Sequence, residues 1–177
     1  QFLFGGKSHL IGSHMIPNMA VYYEPQAEKV YSYDPAKAKE LLTEAGYPDG
    51  FDLEITVPSS YSQHVDTAQI IVEELSQIGV NATINQVEWS TWLSDVYTDG
   101  KFEATVIGFD GTLAPNDWLM KYTTGNKKNF MHYSNPEYDQ VFNNAYTTGE
   151  EAEKEALYKE AQMILADGAA AVCVRGP

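Results

Sequence analysis

Ser62, His64 and Asp66 are the residues whose types could supply a nucleophile, a general base and an orienting acid. They lie at the mouth of a helix, where Ser and Asp serve as caps, and no Gly-x-Ser-x-Gly elbow accompanies them. His64 is therefore read as a loop residue facing solvent or a cleft. His9, His14 and His132 never reach metal-ligand spacing with an acidic third residue. Asp110, Thr112, Asn116 and Asp117 gather oxygen donors without the spacing of a calcium loop. Gly5-Gly6-Lys7-Ser8 ends as a phosphate-binding loop ends but lacks the first glycine of one, and reads as a turn. Glu73-Glu74 and Glu150-Glu151 fall on helix exteriors, a solvated arrangement rather than a glycosidase pair. Cys173 is the single cysteine, so no internal disulfide or cysteine metal site can form. It reads as a small core residue. The expectation is a protein without catalysis, metal or cofactor.

Aromatic residues make a more specific pattern. Trp89, Trp92, Phe109, Trp118 and Tyr122 crowd one stretch, with Trp89 and Trp92 expected to pack helices or core. Phe109 ends an apolar run that begins at Ala104, and the polar segment from Asp110 to Asp117 follows it. In open α/β sheets, ligands collect beyond the carboxyl ends of strands. An aromatic wall with a few polar groups is what a small-molecule cleft requires. Phe109, Asp110, Gly111, Thr112, Asn116 and Trp118 are the candidate ligand contacts. Tyr61 and His64, after an earlier strand, stand in second rank.

Composition limits the ligands. The chain has 177 residues, of which 44 % are hydrophobic and 12 % aromatic, enough for a sizeable core and too much for disorder. Its net charge of −14 disfavours nucleic acid and anionic membranes. Residues 61–120 hold nine acids against one base, Lys101, a field that favours neutral or cationic ligands. No apolar run has the ~20 residues of a membrane span. Gln1-Phe2-Leu3-Phe4 has neither an initiator Met nor a leader pattern, so the expectation is a piece of something longer.

These residues must be positioned by an α/β framework. Residues 1–33 show no clean period and read as an extended arm or short edge strand followed by loops. Asp34-Pro35 caps a helix with Ala38, Leu41, Leu42 and Ala45 on one face, stopped by Gly46. Phe51, Leu53, Ile55 and Val57 alternate as a strand with one wet face. A helix carrying Val65, Ala68, Ile71, Val72, Leu75 and Ile78 ends at Gly79, and Val80, Ala82 and Ile84 follow as a strand. Ser90 caps a short helix presenting Leu93, Val96 and Tyr97. Residues 104–109 read as a strand covered on both faces. Asn135-Pro136 opens a helix with Tyr138, Val141, Phe142 and Ala145 inward. Thr148 and Glu151 suggest a capping box for a helix burying Leu157, Ala161, Ile164 and Leu165. Residues 170–174 read as a last strand. Alternating strands and helices argue one α/β domain over 1–177.

The run Tyr33-Asp34-Pro35, Lys37-Ala38-Lys39, Leu41-Leu42, Ala45-Gly46-Tyr47, Asp49-Gly50-Phe51 resembles a signature of the family 5 solute-binding proteins, the peptide, nickel and oligosaccharide receptors of ABC importers. Further segments fall in that family's order: Ile70 to Val80, Glu88-Trp89 with Gly100 to Glu103, Tyr133 to Asp139, and Glu155 to Leu165. The resemblance covers about residues 12–174. It implies a mixed sheet flanked by helices in a type II periplasmic-binding-protein-like lobe. By that likeness the chain is the C-terminal lobe of a two-lobed receptor. Its partners would be a missing N-terminal lobe, a small solute and ABC permease subunits. Its place would be extracytoplasmic, with contact to a membrane only through an upstream anchor. Peptide binders of the family carry Gly-Trp and a following Asp where this chain has Gly108-Phe109-Asp110-Gly111-Thr112. The acid is shifted to Asp110, or replaced by Gly111 or Thr112. An oligopeptide is the ligand class the resemblance implies, with an oligosaccharide or another polar solute left open. A sensory domain of a regulator is the alternative.

Overall fold

The computed structural model describes residue 11, residues 15–109 and residues 114–174. The chain divides into two compact units, one comprising Tyr33–Phe109 and the other Gln1–Ser32 with Asp110–Pro177.

The unit Tyr33–Phe109 is built on a sheet of three strands in the order β2-β1-β3: β1 (Asp52–Pro58), β2 (Asn81–Val87) and β3 (Ala104–Thr105). All three run parallel. Helix α1 (Pro35–Glu44) precedes β1, and Asp34 caps it by accepting from the Lys37 amide at 2.9 Å. Its apolar face is not buried, and Leu41 stays 49 % exposed. Helix α2 (Ser62–Ser76) connects β1 to β2. Val65, Ala68, Ile71, Val72 and Leu75 pack on Leu53, Ile55, Val57, Ala82, Ile84 and Ala104. The opposite face carries the wet residues of the alternation: Asn81 donates to Asp52 at 2.8 Å and Asn85 to Glu54 at 3.1 Å.

Two glycine turns set the start of the sheet. Gly50 (φ +77°) and Gly79 (φ +90°) precede β1 and β2, and a Cβ on Gly50 would lie 1.9 Å from the Gly79 carbonyl oxygen. Only hydrogen fits there, and only glycine adopts that φ without strain.

The crossover from β2 to β3 is unusual. Helix α3 (Trp89–Thr91) runs straight into a π-helix over Trp92–Thr98. Trp92 and Val96 are buried, whereas Leu93, expected inside, is 38 % exposed. The strand β3 is also shorter than the apolar run 104–109 suggested. Among the described residues it pairs with β1 alone, its residues are half-buried, and Gly108 and Phe109 lie exposed beyond it.

In the second unit, α5 (Pro136–Thr147) and α6 (Glu151–Asp167) bury Tyr138, Val141, Phe142 and Ala145 against Tyr158, Ala161 and Leu165. Asn135 caps α5 by accepting from the amides of Glu137 and Tyr138. The capping box at α6 does not form. The Thr148 hydroxyl donates to Glu153 instead and accepts from the Glu150 amide. The expected arm 1–33 is, over its described part, a packed wall of turns and a 3-10 helix at Pro25–Lys29. Met15, Met19 and Tyr23 enter the core. Fully buried Gln162 fastens it, donating to the carbonyls of Tyr22 (2.7 Å) and Tyr158 (2.8 Å) and accepting from the Glu24 amide (3.2 Å). Short α4 (Pro115–Leu119) adds Leu119, whose carbonyl accepts from the Tyr138 hydroxyl at 2.6 Å. Residues 170–174 form no strand, since no neighbouring strand pairs with them among the described residues.

Two substitutions test this account by urea denaturation. Gly50→Ala is expected to lower stability by at least about 2 kcal/mol, through the carbonyl clash and the positive φ. Gln162→Leu is expected to cost about 2–3 kcal/mol, because the Glu24 amide and Tyr22 carbonyl lose their partner. A midpoint unchanged in either variant contradicts the corresponding contact.

Candidate functional site

Parallel pairing brings the carboxyl ends of β1, β2 and β3 to one edge of the sheet. The chain leaves β1 toward β2 on one side, then crosses to β3 on the other side. In open α/β sheets, ligands collect beyond the carboxyl ends of strands in such an order. Tyr61 and His64 follow β1, Trp89 follows β2, and Gly108 and Phe109 follow β3.

These side chains form a connected aromatic group. The Tyr61 ring lies 5.1 Å from His64 and 5.4 Å from Trp89, the latter pair edge-to-face at 74°. Trp89 in turn stacks on Trp92 at 5.3 Å with the planes 5° apart. Tyr61 is 43 % exposed and Trp89 37 %, while Trp92 is buried. The edge thus presents aromatic surface to solvent with a buried indole behind it. Offset and edge-to-face ring pairs of this kind hold one another's orientation.

His64 occupies the first turn of α2 rather than a loop. Its Nδ1 is buried and has no hydrogen-bond partner among the described residues. Burial holds the imidazole below its ordinary pKa, so the ring is neutral at pH 7. On the other side, Nε2 lies 3.1 Å from where a Cβ on Gly108 would stand. A side chain at 108 would push the ring away from β3, so Gly108 is part of the site through what it lacks.

Asn116 and Trp118 belong to the other unit, on α4. Both are half-buried, and Trp118 packs against that unit's core. Lys121 places its Nζ 5.2 Å above the Trp118 ring. Burial, with Lys128 nearby, lowers the Lys121 pKa. The Asn116 amide donates to Asp117 at 3.5 Å. Asp110, Gly111 and Thr112 lie outside the described residues. Cys173 is half-buried, and burial pushes its thiol up to about 11, which agrees with an inert packing residue. Among the described residues no group of three or more His, Cys, Asp or Glu could hold a metal ion.

Of the expected site residues, the structure joins Tyr61 and His64 and sets Phe109 one residue beyond Gly108, itself against His64. Trp89, expected to pack helices or core, stands instead at the exposed edge, and Gly108 joins the site although it was no candidate contact. The signal for Trp89 was its place immediately after a strand, the same argument that singled out Phe109.

The neutral state of His64 has a measurable consequence. Because its folded pKa is depressed, the stability linked to it is complete above the unfolded value of about 6.5 and is lost as pH falls through the folded value. An NMR titration should place its midpoint below that of free histidine, and Gly108→Ala should move it back toward 6.5 by displacing the ring. A His64 midpoint at or above the free value contradicts the burial described.

Comparison with known proteins agrees with this architecture. The profile of the bacterial extracellular solute-binding proteins, family 5 (middle region), matches residues 1–131. The glutathione-binding protein GsiB of Shigella flexneri serotype 5b is 31 % identical over 159 residues, covering 84 % of this chain and 31 % of that protein. Among solved structures, the periplasmic binding protein DppA of Helicobacter pylori, in complex with the peptide STSA, superposes with a TM-score of 0.85 at 26 % identity, covering 97 % of this chain and 34 % of that one. A dipeptide-binding protein from Pseudoalteromonas sp. SM9913, in complex with Met-Leu, gives a TM-score of 0.85 at 26 % identity, covering 96 % of this chain and 35 % of that one. The chain spans about a third of the length of these relatives. With most of its residues under that profile and its fold shared with type II periplasmic binding proteins, the chain belongs to the bacterial extracellular solute-binding proteins, family 5.

Proposed function

We propose that these 177 residues are the C-terminal lobe of a two-lobed receptor that captures a small solute, without chemistry, for an ABC importer outside the cytoplasm. The reading rests above all on one observation. In a family of solute-binding proteins, exposed Tyr61 and Trp89 and half-buried His64 gather at the carboxyl edge of a parallel sheet. That edge has the apolar surface to desolvate a ligand. His64, neutral by burial, can donate or accept one hydrogen bond without adding charge. Phe109 extends the aromatic surface of this edge; Asp110, Gly111, Thr112, Asn116 and Trp118, which belong to the other unit, are proposed as ligand contacts on the family resemblance alone.

A peptide is the ligand class that fits best, since GsiB is described as glutathione-binding and the two solved relatives hold a peptide and Met-Leu. Capture would follow from differential contact: ligand groups that touch both lobes only when these close shift the population toward the closed state. Permease subunits would then read that state. No helix among the described residues is long and apolar enough to cross a membrane.

Native mass spectrometry of the full-length protein purified from its host should reveal a co-purifying peptide. Calorimetry with a panel of dipeptides, tripeptides and glutathione should then rank its affinity. Trp89→Ala and Tyr61→Ala should each weaken the best ligand by about tenfold. An unchanged affinity in both variants removes this edge from the site. The 177-residue chain alone should bind the same ligand more weakly than micromolar, and micromolar binding by it would overturn the two-lobe reading.

A further inference from the structure

Trp89 stands at the open edge of the sheet, where the orientation of a ring depends on what lies behind it. Behind it lies Trp92, three residues later, parallel to within 5° and 1 % exposed. Trp92 opens the π-helix Trp92–Thr98. Such turns are rare and concentrate at functional sites. The second indole points into the sheet. Its Nε1 donates to the Thr105 hydroxyl at 3.0 Å, and that hydroxyl donates to the Thr56 carbonyl oxygen at 2.6 Å. Thr56 and Thr105 are register partners on β1 and β3, and Thr56 is buried.

The chemistry at position 105 is restrictive. A hydroxyl has one proton and two lone pairs. Directing the proton to the β1 carbonyl turns a lone pair toward the indole N–H. Serine retains both bonds, whereas valine, of the same shape as threonine, can make neither. A bond spanning β1, β3 and the π-helix thus sets the plane of Trp92, and stacking passes that plane on to Trp89.

We infer that Thr105 is a positioning residue for ligand capture: through Trp92 it fixes the exposed Trp89 ring at the sheet edge, where it meets an apolar or ring-bearing side chain of the ligand. This rests on the function proposed above. It adds the residue that orients the edge and the kind of ligand group the edge takes.

The full-length protein labelled with 5-fluorotryptophan separates the two readings. Trp89→Phe and Trp92→Phe assign the two fluorine resonances. In Thr105→Val both should shift by more than a linewidth without ligand, while in Thr105→Ser both should stay in place. For the tightest peptide of the calorimetric panel, the dissociation constant should rise roughly fivefold or more in Thr105→Val and less than about twofold in Thr105→Ser. If valine is not tolerated in the fold, Thr105→Ala removes the hydroxyl without adding a methyl group and carries the same expectations. A Trp89 resonance that does not move when the hydroxyl is lost overturns the inference. So does a resonance that moves while peptide affinity stays unchanged. If the wild-type protein binds no peptide, the proposed ligand class fails, and the resonances alone decide whether Thr105 holds Trp89.

Discussion

The central strand β1 is hydrogen-bonded on both sides by strands that run in its own direction, and the candidate site follows from that constraint. Parallel neighbours cannot be joined by a tight turn, so each crossover carries helix and returns to the same end of the sheet. The consequence is that three chain segments of unrelated sequence leave the sheet at one edge. The order β2-β1-β3 puts β1, with Tyr61 and His64 after it, between the other two. An aromatic group at that edge can be open to solvent on one side and packed on the other, which is the condition for binding a small molecule.

The register that produces this edge is fixed from its opposite end. The Gly50 and Gly79 backbones touch before β1 and β2 begin, and the Asn81 amide donates to the Phe51 carbonyl at 2.9 Å. A slip of one residue would turn Leu53, Ile55 and Val57 away from α2 and bury Asp52 and Glu54 in their place. The site is thus positioned by contacts at the far end of the strands, where no ligand comes.

The other unit solves a different problem. Two helices alone leave the apolar face of the pair uncovered, and Met15, Met19, Tyr23 and Leu119 close it. Backbone that is packed in this way needs its polar groups satisfied. Gln162 does so for Tyr22 and Glu24, and the Tyr138 hydroxyl does so for Leu119. Buried Asn129 acts likewise, donating to the carbonyls of Thr123 and Tyr133 and accepting from the Tyr133 amide. Burial also raises the pKa of Tyr122 and Tyr138 well above the usual phenol range, so their ionisation plays no part at physiological pH.

Local rules were enough for part of this protein. Asp34 and Asn135 as caps, the inward face of α5 and the one wet face of β1 are set by hydrogen bonds and periodicity within a few residues, and the sequence determined them. The aromatic character of the candidate edge and its place after strands were legible in the same way. What the tertiary structure decided were matters of phase and partnership. Trp92 is buried under the sheet through its bond to Thr105, while Trp89, three residues earlier, stays outside. Among the described residues β3 pairs with β1 alone and ends at Thr105, and residues 170–174 stay irregular for want of any such neighbour there. Met15, Met19 and Tyr23 recur every four residues, a signal that was present but had no meaning until α5 and α6 supplied a face to cover. His64 became a neutral, half-buried ring only when β3 brought Gly108 against it. A strand, a core or a ligand edge needs groups distant in sequence to meet, and that meeting is a property of the folded chain alone.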